Sequence, residues 1–328
     1  MGIFNDFNKK EKPVFTGLKF GFGSGGGGGA AEPGLPDVAT GGTKYTYNSK
    51  TIHVFTTTGA NTFIAPKNFN AEVFVVAGGG GGATDMAGGG GAGGVRDLSS
   101  VPIPSGTHVV TVGAGGYGSN RPYPGGTVGN PDTSLRQGNN SSIGSIVIAT
   151  GGGAGGWETG DATTGGSGGG CHGRQPMTAP TVASPDGISP TAQGKNGGTI
   201  SGTFAGGAGG GGWNDVGQTD RGGNGDLCPP TFRDPSNPYG RPGPANPSFY
   251  FAGGGGAGKY QANGNNGGVG GGGPGGNSPG APNGPKSGDH GYTNTGGGGG
   301  GGASHSPGPG GDGGSGIVFI AYPTPTFP

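Results

Sequence analysis

Apolar residues in this chain gather in short runs, and several of those runs end in glycine. Residues 73–77 (VFVVA) pass straight into a glycine block, so that 71–94 reads AEVFVVAGGGGGATDMAGGGGAGG. The same join recurs at 109–116 (VVTVGAGG), 146–156 (IVIATGGGAGG) and 249–256 (FYFAGGGG), and it is reversed at 313–322 (GGSGIVFIAY). Upstream, Tyr45 and Tyr47 alternate with polar residues. Ile52, Val54 and 55–58 continue the pattern, 59–61 (GAN) predicts a turn, and 62–65 leads to Pro66. Period-two segments with turn residues every 8 to 12 or so positions predict a small antiparallel sandwich. Further strands are expected at 101–103, 108–112, 145–149 and 317–322, the first at a sheet edge because of its prolines. The last strand is expected to return from the far end of the chain, pair with the early ones and close the domain. His53 and His108 fall on strands, as half-buried surface partners.

Between residues 151 and 316 no helical period exists. Glycine runs at 165–170, 206–212, 253–256, 270–273 and 296–302 alternate with polar, proline-rich segments. There is no Gly-X-Y repeat, which excludes collagen. Glycine disfavours a helix by about 1 kcal/mol per residue relative to alanine, and any buried backbone group still needs a partner. A polyproline-II rod directs its N–H and C=O groups outward, so rods without side chains can approach and bond sideways. The expectation is a bundle of parallel and antiparallel glycine rods stacked on the sandwich. Ordering costs roughly 1–2 kcal/mol per residue, so each rod needs several neighbours; the alternative is that these runs are disordered.

Composition sharpens this picture. Of 328 residues 94 are glycine and only 27% are hydrophobic, too few for a conventional core of that size. The 17 basic and 17 acidic residues balance, and without a basic stripe no nucleic-acid partner is expected. No apolar run is long enough for a transmembrane helix, so no membrane insertion is expected, and charges near the N-terminus argue against a secretory signal. Two cysteines, Cys171 and Cys228, read as free thiols or as a single bridge between loops. Residues 1–22 set Phe4, Phe7, Phe15, Phe20 and Phe22 among lysines, and a glycine- and proline-rich linker follows. The pattern reads as a docking arm or a disordered tail. The organisation expected is an arm and linker over 1–40, a β-sandwich base with the first glycine runs over 41–150, a rod bundle over 151–316, and a closing strand and tail over 317–328. The fold class is all-β, with no significant helix.

The strings FVVAGGGGGA (74–83), GGGGAGGV (88–95), VPIPSGTHVVTVGAGG (101–116), SSIGSIVIATGGGAGG (141–156) and GGSGIVFIAYP (313–323), with the strand pair at 42–66, resemble the glycine-rich domain of bacteriophage tail-fibre and virion proteins. The resemblance covers about residues 41–323. It implies glycine rods of polyproline-II type, a place in the virion after assembly in the host cytoplasm, and loops at the rod ends that touch a host receptor. The chain departs from distal tail-fibre adhesins in its N-terminal arm and its long proline-rich inserts. A tail fibre, a tail tip or a head-surface appendage therefore all stay open. Implied partners are other virion proteins through residues 1–40 and a host polysaccharide or outer-membrane protein. A homotrimer is the default for fibres, although no coiled-coil heptad supports it.

Catalytic signals are weak. Glycine strings match nucleotide-loop patterns by chance, but no helix follows them. Cys171, His172 and Cys228 lack a fourth ligand at ordinary zinc spacing. No enzyme activity, cofactor or metal is expected. The inserts carry the binding candidates: Tyr117, Arg121 and Tyr123; Phe232, Arg233, Tyr239, Arg241, Phe249 and Tyr250; Tyr260; and Tyr292. Aromatic and arginine side chains on proline-stiffened loops suit recognition and saccharide stacking. The same aromatics could instead cover the rods as a substitute core, with Trp157 and Trp213 capping the bundle. Host attachment, structural decoration of head or tail, and an ice-binding rod protein are the functions weighed. The last needs regular threonine or alanine rows, which the irregular inserts do not provide.

Overall fold

The computed structural model describes residues 38–119, 133–157, 162–173, 193–200, 206–260, 262–277, 287–303 and 308–325. Asp37–Pro328 form one compact unit; Met1–Pro36 lie outside the described residues. The strands in chain order are β1 (Thr43–Tyr47), β2 (Lys50–Phe55), β3 (Gly59–Ala65), β4 (Phe69–Val76), β5 (Val95–Ile103) and β6 (Gly106–Val112). A one-turn helix, α1 (Thr133–Arg136), precedes β7 (Ser141–Ile143) and β8 (Val147–Ala149). Then come β9 (Asp226–Leu227), β10 (Arg241–Gly243), β11 (Asn246–Phe251) and β12 (Ile317–Pro323).

All strand pairs are antiparallel and form three sheets, ordered β1-β2-β12-β4-β5, β3-β6-β7-β8 and β10-β11-β9. As expected, β12 returns from the far end of the chain and pairs with early strands, here between β2 and β4. Strand β5, with Pro102, is an edge. The five-stranded sheet is buried on both faces. Phe55, Val73, Val75, Val318 and Ile320 pack with Phe63, Val110, Val112 and Ile143 of the four-stranded sheet. Ile52, Val54, Phe74, Val76, Ile317 and Phe319 pack with Phe232, Phe249 and Phe251. Continuous apolar strands are the signature of a sheet covered on both sides, and β2, β4 and β12 are such strands. The sandwich therefore has a third layer, built by the 226–251 segment, of which only the apolar run at 249–251 is announced by the sequence.

Two local expectations are corrected. Residues 59–61 belong to β3 and not to the turn, which falls at 56–58. The amide of Asn61 donates to Thr57 O at 2.8 Å and Gly59 O at 3.0 Å, closing that turn from the strand side. His53 is fully buried. It lies between Phe63 and Tyr322, with ring centroids 5.1 and 5.7 Å away.

The glycine runs form a lattice. Along 77–83 each backbone N–H leaves the run, and its target repeats every third residue. Ala77, Gly80 and Ala83 donate to Gly94, Gly91 and Gly88; Gly78 and Gly81 to Asn139 and Arg136; Gly79 and Gly82 to Gly314 and Gly311. A three-residue period is that of a polyproline-II rod. The carbonyls of the same run accept from three further segments: Gly152 and Gly155, Gly116 and Ser119, and Gly299 and Gly302. This rod thus has six bonded neighbours. Run 87–94 repeats the arrangement, donating to 296–302, 150–156 and 208–211 and accepting from 77–83, 253–258 and 167–170. Runs 207–212 and 298–302 keep the same period. Six neighbours per central rod satisfy the backbone in place of side chains and offset the entropy of ordering glycine.

Candidate functional site

Six strand ends feed directly into rods: β4 at Ala77, β6 at Gly113, β8 at Thr150 and β11 at Ala252 leave the sheets, while β5 after Gly94 and β12 after Gly316 return. The lattice therefore has a sheet end and a free end. At the free end Gly302 N–H donates to Ala83 O, Gly173 N–H to Met86 O, Gly207 N–H to Gly258 O, Gly276 N–H to Gly301 O and Ser119 N–H to Gly82 O. Thr84 Oγ1 donates there to Gly308 O. These described residues, which flank 120–132, 174–192, 201–205, 278–286 and 304–307, lie together at one end of the lattice. Gln193 is an exception, because its backbone accepts from Val95 N–H beside the sheets. Thr40 and Thr324 lie at the opposite, base end of the sheets: Thr40 bridges Ile64, and Thr324 N–H donates to Ser49 O.

The sequence candidates divide by position. Tyr117 and Tyr260 are half-buried, each on a rod that ends at the free end. Arg121, Tyr123 and the arm residues Phe4, Phe7, Phe15, Phe20 and Phe22 lie outside the described residues. Phe232 and Phe249 belong to the second core and cannot meet a ligand. Phe232 stands 5.2 Å from Phe319 and 6.2 Å from Phe74, centroid to centroid. Tyr239 packs edge-on to Phe319 at 5.5 Å. Arg233 Nε donates to Cys228 O at 2.6 Å, fixing the chain beneath Phe232. Trp213 packs on Phe74 at 5.6 Å, so it covers the middle sheet and not the bundle end. Trp157 is half-buried at the end of a rod. Cys171 and Cys228 are buried free thiols, and burial pushes the Cys228 thiol up to about 12.

Arg241, Tyr250 and Tyr292 come together. In β10 and β11, Arg241 pairs with Tyr250, and directly opposed residues of an antiparallel pair share a face. Phe251 of β11 turns into the core, while Tyr250, itself buried at 8% exposure, lies over Gly243. A Cβ on Gly243 would meet the Tyr250 ring at 2.4 Å, so only glycine leaves room for it. Tyr250 Oη accepts from Ala245 N–H at 3.2 Å. The Arg241 guanidinium lies 3.6 Å above the exposed ring of Tyr292, although 51 residues separate them in sequence. Beside Tyr250 is a polar pocket of about 210 Å³ that sequence reasoning missed. It is lined by Asn214, Asp215, Asn224, Asp226, Pro244, Tyr250 and Val269 among others. Asn224 is held at both ends of its amide, donating to Asp215 Oδ2 at 2.8 Å and accepting from Val269 N–H at 3.1 Å. In sequence these Asn and Asp residues fall in the polar segments between glycine runs and carry no signal of their own.

A comparison with curated proteins finds no match. A family model described as a glycine-rich domain matches residues 54–323. That span runs from the end of β2 to the end of β12 and takes in the rod lattice and every strand except β1 and most of β2. By that match, which covers most of its length, the chain belongs to the glycine-rich domain family.

Proposed function

We propose that this protein is a bacteriophage virion structural protein, a tail-fibre or tail-tip component that contributes to host attachment through surface loops without catalysis. The observation that supports this reading most is its polarity. Thr40 and Thr324 lie at the base of the sheets, while the residues bordering most inserts lie at the free end of the lattice. A module tethered at its base and presenting variable segments at its tip suits an appendage. Residues 1–40 serve as the tether to other virion proteins.

Purified protein should bind host cells and block adsorption of the phage. Deleting residues 1–22 should abolish incorporation into particles while the melting transition of the 37–328 unit is kept. Absence of cell binding, together with poor assembly of particles that lack the protein, would establish a non-receptor decoration role instead. One observation favours that alternative: Phe232, Phe249 and Tyr239 serve the molecule's own core rather than its surface.

A further inference from the structure

We propose that the outer face of the three-stranded sheet binds an acidic saccharide, with Arg241 holding its oxyanion and the pocket beside Tyr250 holding ring hydroxyls. Such a site gives the attachment reading a ligand class, and it rests on that reading for its biological meaning. It stands apart from the free end of the lattice. Tyr292 N–H donates to Gly271 O, and three residues on, Thr295 O accepts from Ala252 N–H where β11 leaves the sheet.

Arginines among the described residues are used in two ways. Arg96, Arg136 and Arg233 each donate to a main-chain carbonyl, those of Ile148, Gly155 and Cys228. Arg221 and Arg241 make no ion pair or side-chain hydrogen bond among the described residues, although the chain carries 17 acidic side chains. Of the two, Arg241 stacks on the ring of Tyr292. A surface cation–π pair alone is worth only about 0.5–1 kcal/mol. Stacking also does something geometric: it fixes the plane of the guanidinium and leaves its N–H fork directed sideways. That fork matches a carboxylate or phosphate edge-on.

The neighbouring pocket supplies the complementary half. Asp215 and Asp226 bring carboxylates, which accept hydrogen bonds and donate none. Sugar hydroxyls can donate to them, whereas an anion would be repelled. A ligand bearing both groups therefore has one orientation, hydroxyls in the pocket and oxyanion on Arg241. Pro244, Val269 and Tyr250 give the pocket an apolar wall for the C–H face of a pyranose. At about 210 Å³, the space of about seven waters, it suits a single ring. Tyr250 links the halves, since it lines the pocket and pairs with Arg241.

The test uses the full chain and three soluble polymers: polygalacturonate (carboxylate), a phosphorylated mannan (phosphate) and dextran (neutral). At least one acidic polymer should bind about tenfold or more tightly than dextran, and added salt should weaken that binding. Which acidic polymer wins identifies the oxyanion. Arg241→Gln and Tyr292→Ala should each cost roughly tenfold or more, the scale of a charge-assisted hydrogen bond. Arg241→Lys should cost nearly as much, because it keeps the charge and loses the fork. Melting curves should be unchanged, and the polymer comparison on the unaltered protein stands whether or not the variants fold. Equal binding of dextran, no binding of either acidic polymer, or indifference to a folded Arg241→Gln variant would overturn the site. Cell binding without acidic-polymer binding removes this site and leaves attachment in place. Arg241-dependent polymer binding without cell binding does the reverse.

Discussion

The carbonyl oxygen of Gly80 stands 2.0 Å from where a Cβ on Gly90 would lie. The obstacle is backbone at the centre of the lattice, so nothing nearby can rotate away. Gly90→Ala should therefore destabilise the protein by about 3 kcal/mol, the upper end of overpacking costs. Gly59 is the control. It has φ +93 but open space around its Cβ position, so Gly59→Ala should cost only about 1 kcal/mol of backbone strain. Thermal melts of the two variants should differ clearly; equal losses would mean that the rods are not closely packed.

Backbone amides in the rods should be protected like those of a sheet. Hydrogen exchange at 78–82, 88–94 and 298–302 is expected to be as slow as in β4 and β12, because each N–H there has a carbonyl partner at 2.7–3.0 Å. Exchange at the rate of an unstructured peptide would dismiss the lattice.

Phe232 pins the third layer to the middle sheet. Phe232→Ala should cost about 3–5 kcal/mol, the range for a buried phenylalanine. Trp213, packed on Phe74 in the same core, reports the event, and its fluorescence should shift to the red as the layer loosens. An unshifted spectrum with an unchanged melt would show that the layer is held by its backbone alone.

His53 makes stability depend on pH. Its Nδ1 lies 2.7 Å from Gly41 O and must donate, which leaves Nε2 to accept from the Tyr322 hydroxyl at 3.1 Å. Burial is the main cause holding its pKa below the ordinary 6.5; a smaller push from Lys44 adds to it, and the Gly41 bond opposes. The neutral form is thus favoured in the fold. Its contribution is complete above about pH 6.5 and is lost progressively as pH falls from there through the lower folded pKa. The melting temperature should drop between pH 7.5 and 5, and His53→Gln should flatten that drop. A drop of the same size in the variant would assign the effect to other groups.

Much of this architecture is legible in the sequence, and the reasons are local. The passage from Val76 into 78–82 and the apolar run 317–322 announce strands that continue as rods, and the central place of β12 follows from its lack of a polar side. Most of the third layer is hidden because seven prolines between 229 and 247 mask the apolar position Phe232 and leave the run at 249–251 without a visible partner strand. A clue was nonetheless present. Strands as uniformly apolar as 73–76 need cover on two faces, and one facing sheet supplies only one. The Arg241–Tyr292 pair was not legible as a pair, since no local rule joins residues 51 apart; only the fold places Tyr292, just before the turn at 293–296, against β10.

The threefold repeat of bonds along 77–83 imposes a kind of reading frame on the glycine runs. Adding one residue inside a rod would turn every later amide by about 120° toward the wrong neighbour. Adding three would restore each pairing and lengthen the rod by one turn, about 9 Å. Related chains should therefore vary their rods in triplets and vary freely at the tips, where no frame has to be kept.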